Sequence, residues 1–163
     1  MLIGVISDTH GLLRPEALAA LAGSDLIVHA GDVGGPDVLE GLRRLAPVVA
    51  VRGNNDRGRW AAALPETDVI DAGGRRLYVL HDLHALDVDP RAQGFDVVIA
   101  GHSHRPATER RDGVLYLNPG SAGPRRFSLP IALARLRVTP SRLHPELVTL
   151  DDNGRGRQRA EGR

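Results

Sequence analysis

An α/β domain built on a mixed two-layer β-sheet sandwich flanked by helices is predicted by three features of this sequence. Short apolar runs bounded by turn residues recur along the chain. The first three are separated by segments of helical spacing, giving a β-α-β-α-β opening. The second half carries hairpin signals instead, so a parallel beginning gives way to an antiparallel finish.

LIGVI (2–6), LIVHA (26–30), VVAV (48–51), RLYVL (76–80) and DVVIA (96–100) each read as a buried strand. Between the first three, Pro15 to Leu21 and Pro36 to Leu45 have helical spacing. Each opens with proline near the first turn, where a missing N–H costs nothing. Gly73-Gly74 and Asp112-Gly113 signal hairpins, and IALARLRV (131–138) and RLHPELVTL (142–150) flank a Thr-Pro-Ser turn. No internal repeat or linker is visible, so the expectation is one domain over 1–150 and a polar, frayed tail over 151–163. A chain of 163 residues buries roughly two-thirds of its unfolded surface, enough for one core without covalent staples.

Composition narrows the chemistry. No run of about eighteen apolar residues offers a membrane span, and the start, MLIGVISDTHG, lacks a basic leader region, so the chain is read as cytoplasmic. The absence of cysteine removes disulfides, thiolate metal sites and cysteine nucleophiles. Any metal must then be held by imidazole, carboxylate, amide oxygen or water, which points to manganese, magnesium, iron, nickel or zinc. Outside the tail, which holds four Arg and three acids, the charges balance at 17 of each sign. The basic stripe of a protein that grips a nucleic-acid backbone is missing, so long nucleic acid is a weak partner.

The residues just after each strand carry the chemistry. LIGVI runs into Ser7-Asp8-Thr9-His10-Gly11, LIVHA into Gly31-Asp32, and VVAVR into Gly53-Asn54-Asn55-Asp56. RLYVL runs into His81-Asp82, and DVVIA into Gly101-His102-Ser103-His104. In open α/β sheets ligands bind outside the carboxyl ends of the strands, so these five loops should converge. Each residue alone has an ordinary reading: a strand-end Asp is commonly a turn former. Five such strands in order are another matter.

The series Asp-x-His, Gly-Asp, Gly-Asn-x-Asp, strand-end His and Gly-His-x-His resembles the calcineurin-like metallophosphoesterase superfamily. Twenty residues separate His10 from Gly31 and twenty separate Asp32 from Gly53, close to that family's intervals. The resemblance covers residues 1 to 121 and includes Asn118-Pro119-Gly120-Ser121, which recurs in its small prokaryotic phosphodiesterase branch. It implies a four-layer α-β-β-α fold and two divalent cations, manganese favoured over nickel, iron, zinc or magnesium. By that resemblance Asp8, His10, Asp32 and His104 would hold one metal, and Asp32, Asn54, His81 and His102 the other, with Asp32 bridging. Two cations can share a hydroxide, lower its pKa and clamp the phosphate oxygens during in-line displacement. The expected activity is therefore hydrolysis of a phosphodiester or small phosphorylated compound.

Departures from the family pattern carry information. The family usually writes His-Gly where this chain has His81-Asp82, and His84 stands nearby as a competing ligand. Many members place a proton-donating His after the ligand Asn, whereas this chain has Asn55, which weakens help for poor leaving groups and fits small phosphodiesterases. Asp56 could orient a ligand from behind. Arg14, Arg57 and Arg105 lie in or beside the metal loops, where paired N–H donors could steady a phosphate. Trp60 is placed either to stack on a base or to cap the core, and His29 reads as a packed core residue. The competing expectation is a scaffold, since the retromer complex contains a subunit of this fold that works mainly by binding proteins. A scaffold has no physical reason to keep seven metal-binding side chains. The strand face from Ile131 to Val138 could close the core or pair with a second copy in a homo-oligomer.

Overall fold

The computed structural model describes residues 1–150; the tail expected at 151–163 lies outside the described residues. Its first sheet has the order β10-β9-β1-β2-β3 and its second the order β4-β5-β6-β8-β7. In the first, β1 (Leu2–Ile6), β2 (Leu26–His29) and β3 (Val48–Ala50) run parallel, and β9 (Ile131–Val138) and β10 (Leu143–Leu150) return antiparallel. In the second, β5 (Arg75–Leu80), β6 (Val97–Ile99) and β8 (Val114–Asn118) run parallel between the antiparallel edges β4 (Thr67–Ala72) and β7 (Ala107–Arg111). Both hairpins sit at the predicted glycines, with Gly73, Gly74, Asp112 and Gly113 at positive φ.

The alternation of each strand sorts its side chains between two cores. Ile3, Val5 and Val28 of the first sheet meet Leu77, Val79, Ile99, Leu115 and Leu117 of the second, and Ala134 and Leu136 close that inner layer. On the outer face, Ile6, Ile27, Leu133 and Val148 pack under α1 (Pro15–Leu21) and α2 (Pro36–Arg43). Both helices carry proline in their first turn as expected. α2 stops at Arg43 rather than Leu45, shortly before Pro47, which disfavours helical backbone at the residue preceding it. A single turn, α3 (Arg59–Ala62), follows β3.

The layer over the second sheet is thinner than the helical layer over the first. Tyr78, Leu80, Val98, Ala100 and Val114 are covered by Leu83, Leu86, Val88 and Phe95, from a segment whose regular part is one 3₁₀ turn, Leu83–Ala85. The spacing of those apolar residues does not sustain a helical stripe, and Asp87, Asp89 and Pro90 interrupt it. Ile131 to Val138 closes the core within the chain: Ile131, Ala132, Leu133, Ala134, Leu136 and Val138 are all buried. Among the described residues no helix is long and apolar enough to cross a membrane.

Candidate metal centre

The parallel strands bring five loops to one end of the sandwich, and backbone bonds tie them together. Asp8 N–H donates to Gly31 O, His10 N–H to Asp32 O and Gly101 N–H to His81 O. Each chain must reverse within a residue or two of its strand, and the backbone shows it. Asp8, His10, Asp32, His102 and His104 all have φ between 47° and 68°, five of the seven non-glycine residues so placed among those described. Left-handed backbone is unfavourable for L residues, and in a structure such outliers gather at sites where function requires them.

Glycines make the convergence possible. A Cβ on Gly31 would lie 2.6 Å from His81 Nδ1, and one on Gly53 or Gly101 would overlap the carboxylate of Asp32 or the hydroxyl of Ser7. The glycine beside one candidate ligand is thus the space occupied by a group from another loop.

Two carboxylates organise the centre. Asp8 Oδ2 accepts from Ser7 Oγ at 2.7 Å and from the His102 N–H at 3.0 Å. Its Oδ1 points the other way, 3.3 Å from His104 Nε2 and 3.9 Å from Nε2 of both His10 and His81. Asp32 is clamped by Asn55, whose N–H and side-chain amide each donate to one of its oxygens at 2.9 Å. Asp32 Oδ2 lies 3.4 Å from His81 Nε2 and 3.8 Å from His10 Nε2. His81 Nδ1 donates to Ala30 O at 2.8 Å, which turns the Nε2 lone pair of the neutral ring toward the carboxylates. His102 joins at the rim, its Nδ1 3.3 Å from His81 Nε2.

These groups form two sets able to hold a cation, Asp8–His10–His104 and Asp8–Asp32–His81, with candidate ligand atoms within 4.8 Å of one another. Asp8 Oδ1, His10 Nε2 and His104 Nδ1 are buried without a hydrogen-bond partner among the described residues. An orphaned buried polar group costs about 1–3 kcal/mol, so Asp8 Oδ1 and His10 Nε2, 3.9 Å apart and both orphaned, call for a partner outside the chain. Carboxylate oxygen and imidazole nitrogen without thiolate fit a hard or borderline divalent cation.

The electrostatics are consistent with a shared site. Burial works against the charge of Asp32, yet His81 and Asn55 hold its carboxyl well below the usual carboxylate range. Burial likewise opposes protonation of His81, but Asp32 and Asp8 raise its pKa above the ordinary value. His104 is pushed down by burial, with Asp8 opposing and the nearby Arg126 reinforcing. His29 is driven to about 3 by burial and then by His81, matching its expected role as a packed core residue.

The other expected site residues occupy distinct places. Asn54 is exposed, on the loop between Gly53 and Asn55. Asp56 is buried and accepts three backbone N–H groups, from Val33, Gly34 and Gly53, which ties the loop after β2 to the loop after β3. Arg14 donates to Gly123 O at 3.3 Å, while the Arg57 and Arg105 side chains are exposed. His84 lies out in solvent, bonded to Asp82. Trp60 packs against the helix-side core. Asn118 and Ser121 act beneath the site: the Asn118 amide donates to Gly101 O and the Ser121 hydroxyl to Asp8 O, each at 3.0 Å. Sequence reasoning misses Ser7, which fixes Asp8, and Arg126, which reaches His104 by its charge. Ser7 is legible as a hydroxyl beside a strand-end Asp; Arg126 lies in a loop without periodicity.

Residues 1–141 match the calcineurin-like phosphoesterase superfamily domain. A protein of Methanothermobacter thermautotrophicus named a probable metallophosphoesterase is 36% identical over 164 aligned positions, covering 91% of this chain and 92% of its own. The phosphodiesterase MJ0936 of Methanocaldococcus jannaschii is 31% identical, covering 74% of this chain and 83% of its own. Among solved structures, wild-type Vps29 of Entamoeba histolytica complexed with zinc superposes with a TM-score of 0.80 at 28% identity, covering 99% of both chains.

Proposed function

This chain belongs to the calcineurin-like phosphoesterase superfamily, and on that premise we propose that it is a dinuclear metal-dependent phosphodiesterase acting on a phosphodiester or small phosphorylated compound. The observation that carries the reading is the convergence of Asp8 Oδ1 and His10 Nε2, both buried and without hydrogen-bond partners, with His104 Nε2 3.3 Å from the same carboxylate oxygen. In this reading Asp8, His10, Asp32 and His104 hold one divalent cation and Asp32, Asn54, His81 and His102 the other, with manganese the favoured metal. Bound there, the cations supply Lewis acidity toward water and toward the phosphoryl oxygens.

The chain's own residues do the rest by holding still. Asn55 keeps both oxygens of Asp32 from rotating, at 2.9 Å each, and Ser7 with the His102 N–H does the same for Asp8. The Ala30 carbonyl selects the His81 tautomer whose Nε2 can ligate. Asn55 is an amide and donates no acid proton, so substrates with good leaving groups are favoured. Asp56 holds the two loops that carry Asp32 and Asn54 in register. Exposed Arg57 and Arg105, with Arg14, offer guanidinium donors for phosphate at the rim.

A second reading, a protein-binding scaffold, is favoured by the likeness to Vps29. The deciding experiment is hydrolysis of bis(para-nitrophenyl) phosphate by chelator-stripped protein titrated with manganese, nickel, magnesium and zinc, beside Asp32→Ala. Metal-dependent turnover that disappears in the variant is expected. Tight metal binding with no turnover of diester or monoester would leave the scaffold.

A further inference from the structure

The strand that delivers His81 is followed by a carboxylate that the proposed centre leaves unused. Asp82 has φ of −112°, ordinary extended backbone that asks for no glycine, at the position where the family usually writes one. Its Oδ1 accepts from the His84 N–H at 3.0 Å, capping the 3₁₀ turn Leu83–Ala85, and lies 3.1 Å from His84 Nδ1. Its Oδ2 is turned the other way, 3.8 Å from His102 Nε2.

The opposite side of the His102 ring faces His81, with His102 Nδ1 and His81 Nε2 3.3 Å apart. Because His81 Nδ1 donates to Ala30 O at 2.8 Å, Nε2 of the neutral His81 ring carries a lone pair. Neutral His102 then has two choices. With its proton on Nδ1 it donates to His81, which ties up both candidate ligand nitrogens at once and turns the lone pair on its own Nε2 toward the Asp82 carboxylate. With its proton on Nε2 the N–H dipole points at that carboxylate, and the lone pairs of His102 Nδ1 and His81 Nε2 open onto the same space. A carboxylate attracts an N–H dipole and repels a lone pair, so Asp82 favours the second arrangement.

We propose that Asp82 is a positioning residue that keeps the proton of His102 on Nε2 and so leaves Nδ1 free to ligate the second cation beside His81. The role rests on the metal-centre reading above and not on the activity assigned to that centre. Asp82→Asn tests it without disturbing the turn. The Asn side-chain oxygen still accepts from the His84 N–H, which leaves the amide NH2 where Oδ2 stood. A donor then faces His102 Nε2 in place of a carboxylate, and the bias on the ring is inverted.

Long-range proton–nitrogen correlation spectra of the chelated full-length protein read the tautomer of each imidazole, with the His102 signals identified by their loss in His102→Ala. Calorimetric titration with manganese reads the affinity. Wild-type His102 is expected to carry its proton on Nε2 and Asp82→Asn to carry it on Nδ1, with manganese binding at one of the two sites weaker by about tenfold or more. A wild-type ring protonated on Nδ1 overturns the proposal before any substitution is made. An affinity that falls in Asp82→Asn with His102 still protonated on Nε2 also overturns it, since lost charge alone then accounts for the effect. So does a switched tautomer that leaves the affinity unchanged. Hydrolysis of bis(para-nitrophenyl) phosphate is followed on the same preparations. A switched tautomer and weakened binding, with no turnover by wild type, supports the role of Asp82 and removes the phosphodiesterase reading instead.

Discussion

The slab between the two sheets and the crown of loops at its carboxyl end obey opposite rules. In the slab the fully buried strand residues that face inward are apolar and lie in regular strands: Ile3, Val5, Leu77, Ile99, Leu115, Leu136. Two residues beyond the end of β1 the chain places a fully buried aspartate, Asp8, in left-handed backbone with one oxygen unpartnered. The slab satisfies its own groups; the crown collects groups it does not satisfy. Such a difference is what separates parts of a chain that stabilise it from parts kept at a cost in stability for what they bind.

The sharpest way to break that comparison is Asp8→Asn. The amide keeps the shape and can still accept from Ser7 and the His102 N–H, but it withdraws the charge that faces three imidazoles. Diester hydrolysis should fall at least about a thousandfold, roughly 4 kcal/mol of barrier. Stability of the chelated protein should be equal to wild type or higher, since a buried charge lacking full compensation is gone. A large drop in chelated-state stability would show that Asp8 serves folding, and the contrast would fail.

Leu136→Ala is the mirror experiment. It empties a fully buried position in the slab and should cost about 2–5 kcal/mol of unfolding free energy, with manganese affinity of the folded protein unchanged. Asp56→Ala probes the border between the regions. It strips three backbone N–H groups of their acceptor and should cost about 2 kcal/mol. Because the freed loops carry Asp32 and Asn54, it should also weaken manganese binding, which titration of the stripped variant would read. Loss of stability with intact metal affinity would make Asp56 a structural residue only.

How far each region can be read from sequence comes from the same contrast. Strand and helix positions are written in local periodicity and in the prolines at Pro15 and Pro36, so the slab and its helical cover are legible. The thin cover of the second sheet is not, because Leu83, Leu86 and Val88 are placed by the sheet they pack on and not by a period of their own. In the crown, the chemistry of Asp8, His10, Asp32, His81 and His104 is visible at strand ends, and the structure brings these five together. What escapes is how the loops hold one another. The His102 N–H reaches Asp8 across 94 positions and Asn55 clamps Asp32 across 23, contacts that no local pattern encodes. Asp8 consequently sits among the imidazoles as centrally as Asp32, although the family resemblance assigns the bridging role to Asp32 alone.

The effect that is smallest per pH unit separates the two regions by proton. His29 ends β2 with no exposed surface, three residues before Asp32. Its Nδ1 accepts from the Gly31 N–H at 3.1 Å, so the neutral ring carries its proton on Nε2 and donates to Thr9 Oγ1 at 3.0 Å. The Thr9 hydroxyl passes its own hydrogen to Val33 O at 2.8 Å. A second proton would have to sit on Nδ1 against the Gly31 N–H, and burial keeps the folded pKa at about 3. The unfolded chain takes up that proton near the ordinary histidine value of 6.5, so between 6.5 and 3 the unfolded state binds more protons than the folded one. Stability is fully present above that window and lost as pH falls through it, by about 1.4 kcal/mol per pH unit. Denaturant unfolding of the chelated protein across this range should therefore show a shallower acid limb in His29→Leu than in wild type, by that slope. Equal slopes would mean that the folded ring accepts the proton after all, and that His29 belongs with the polar crown rather than with the slab it terminates.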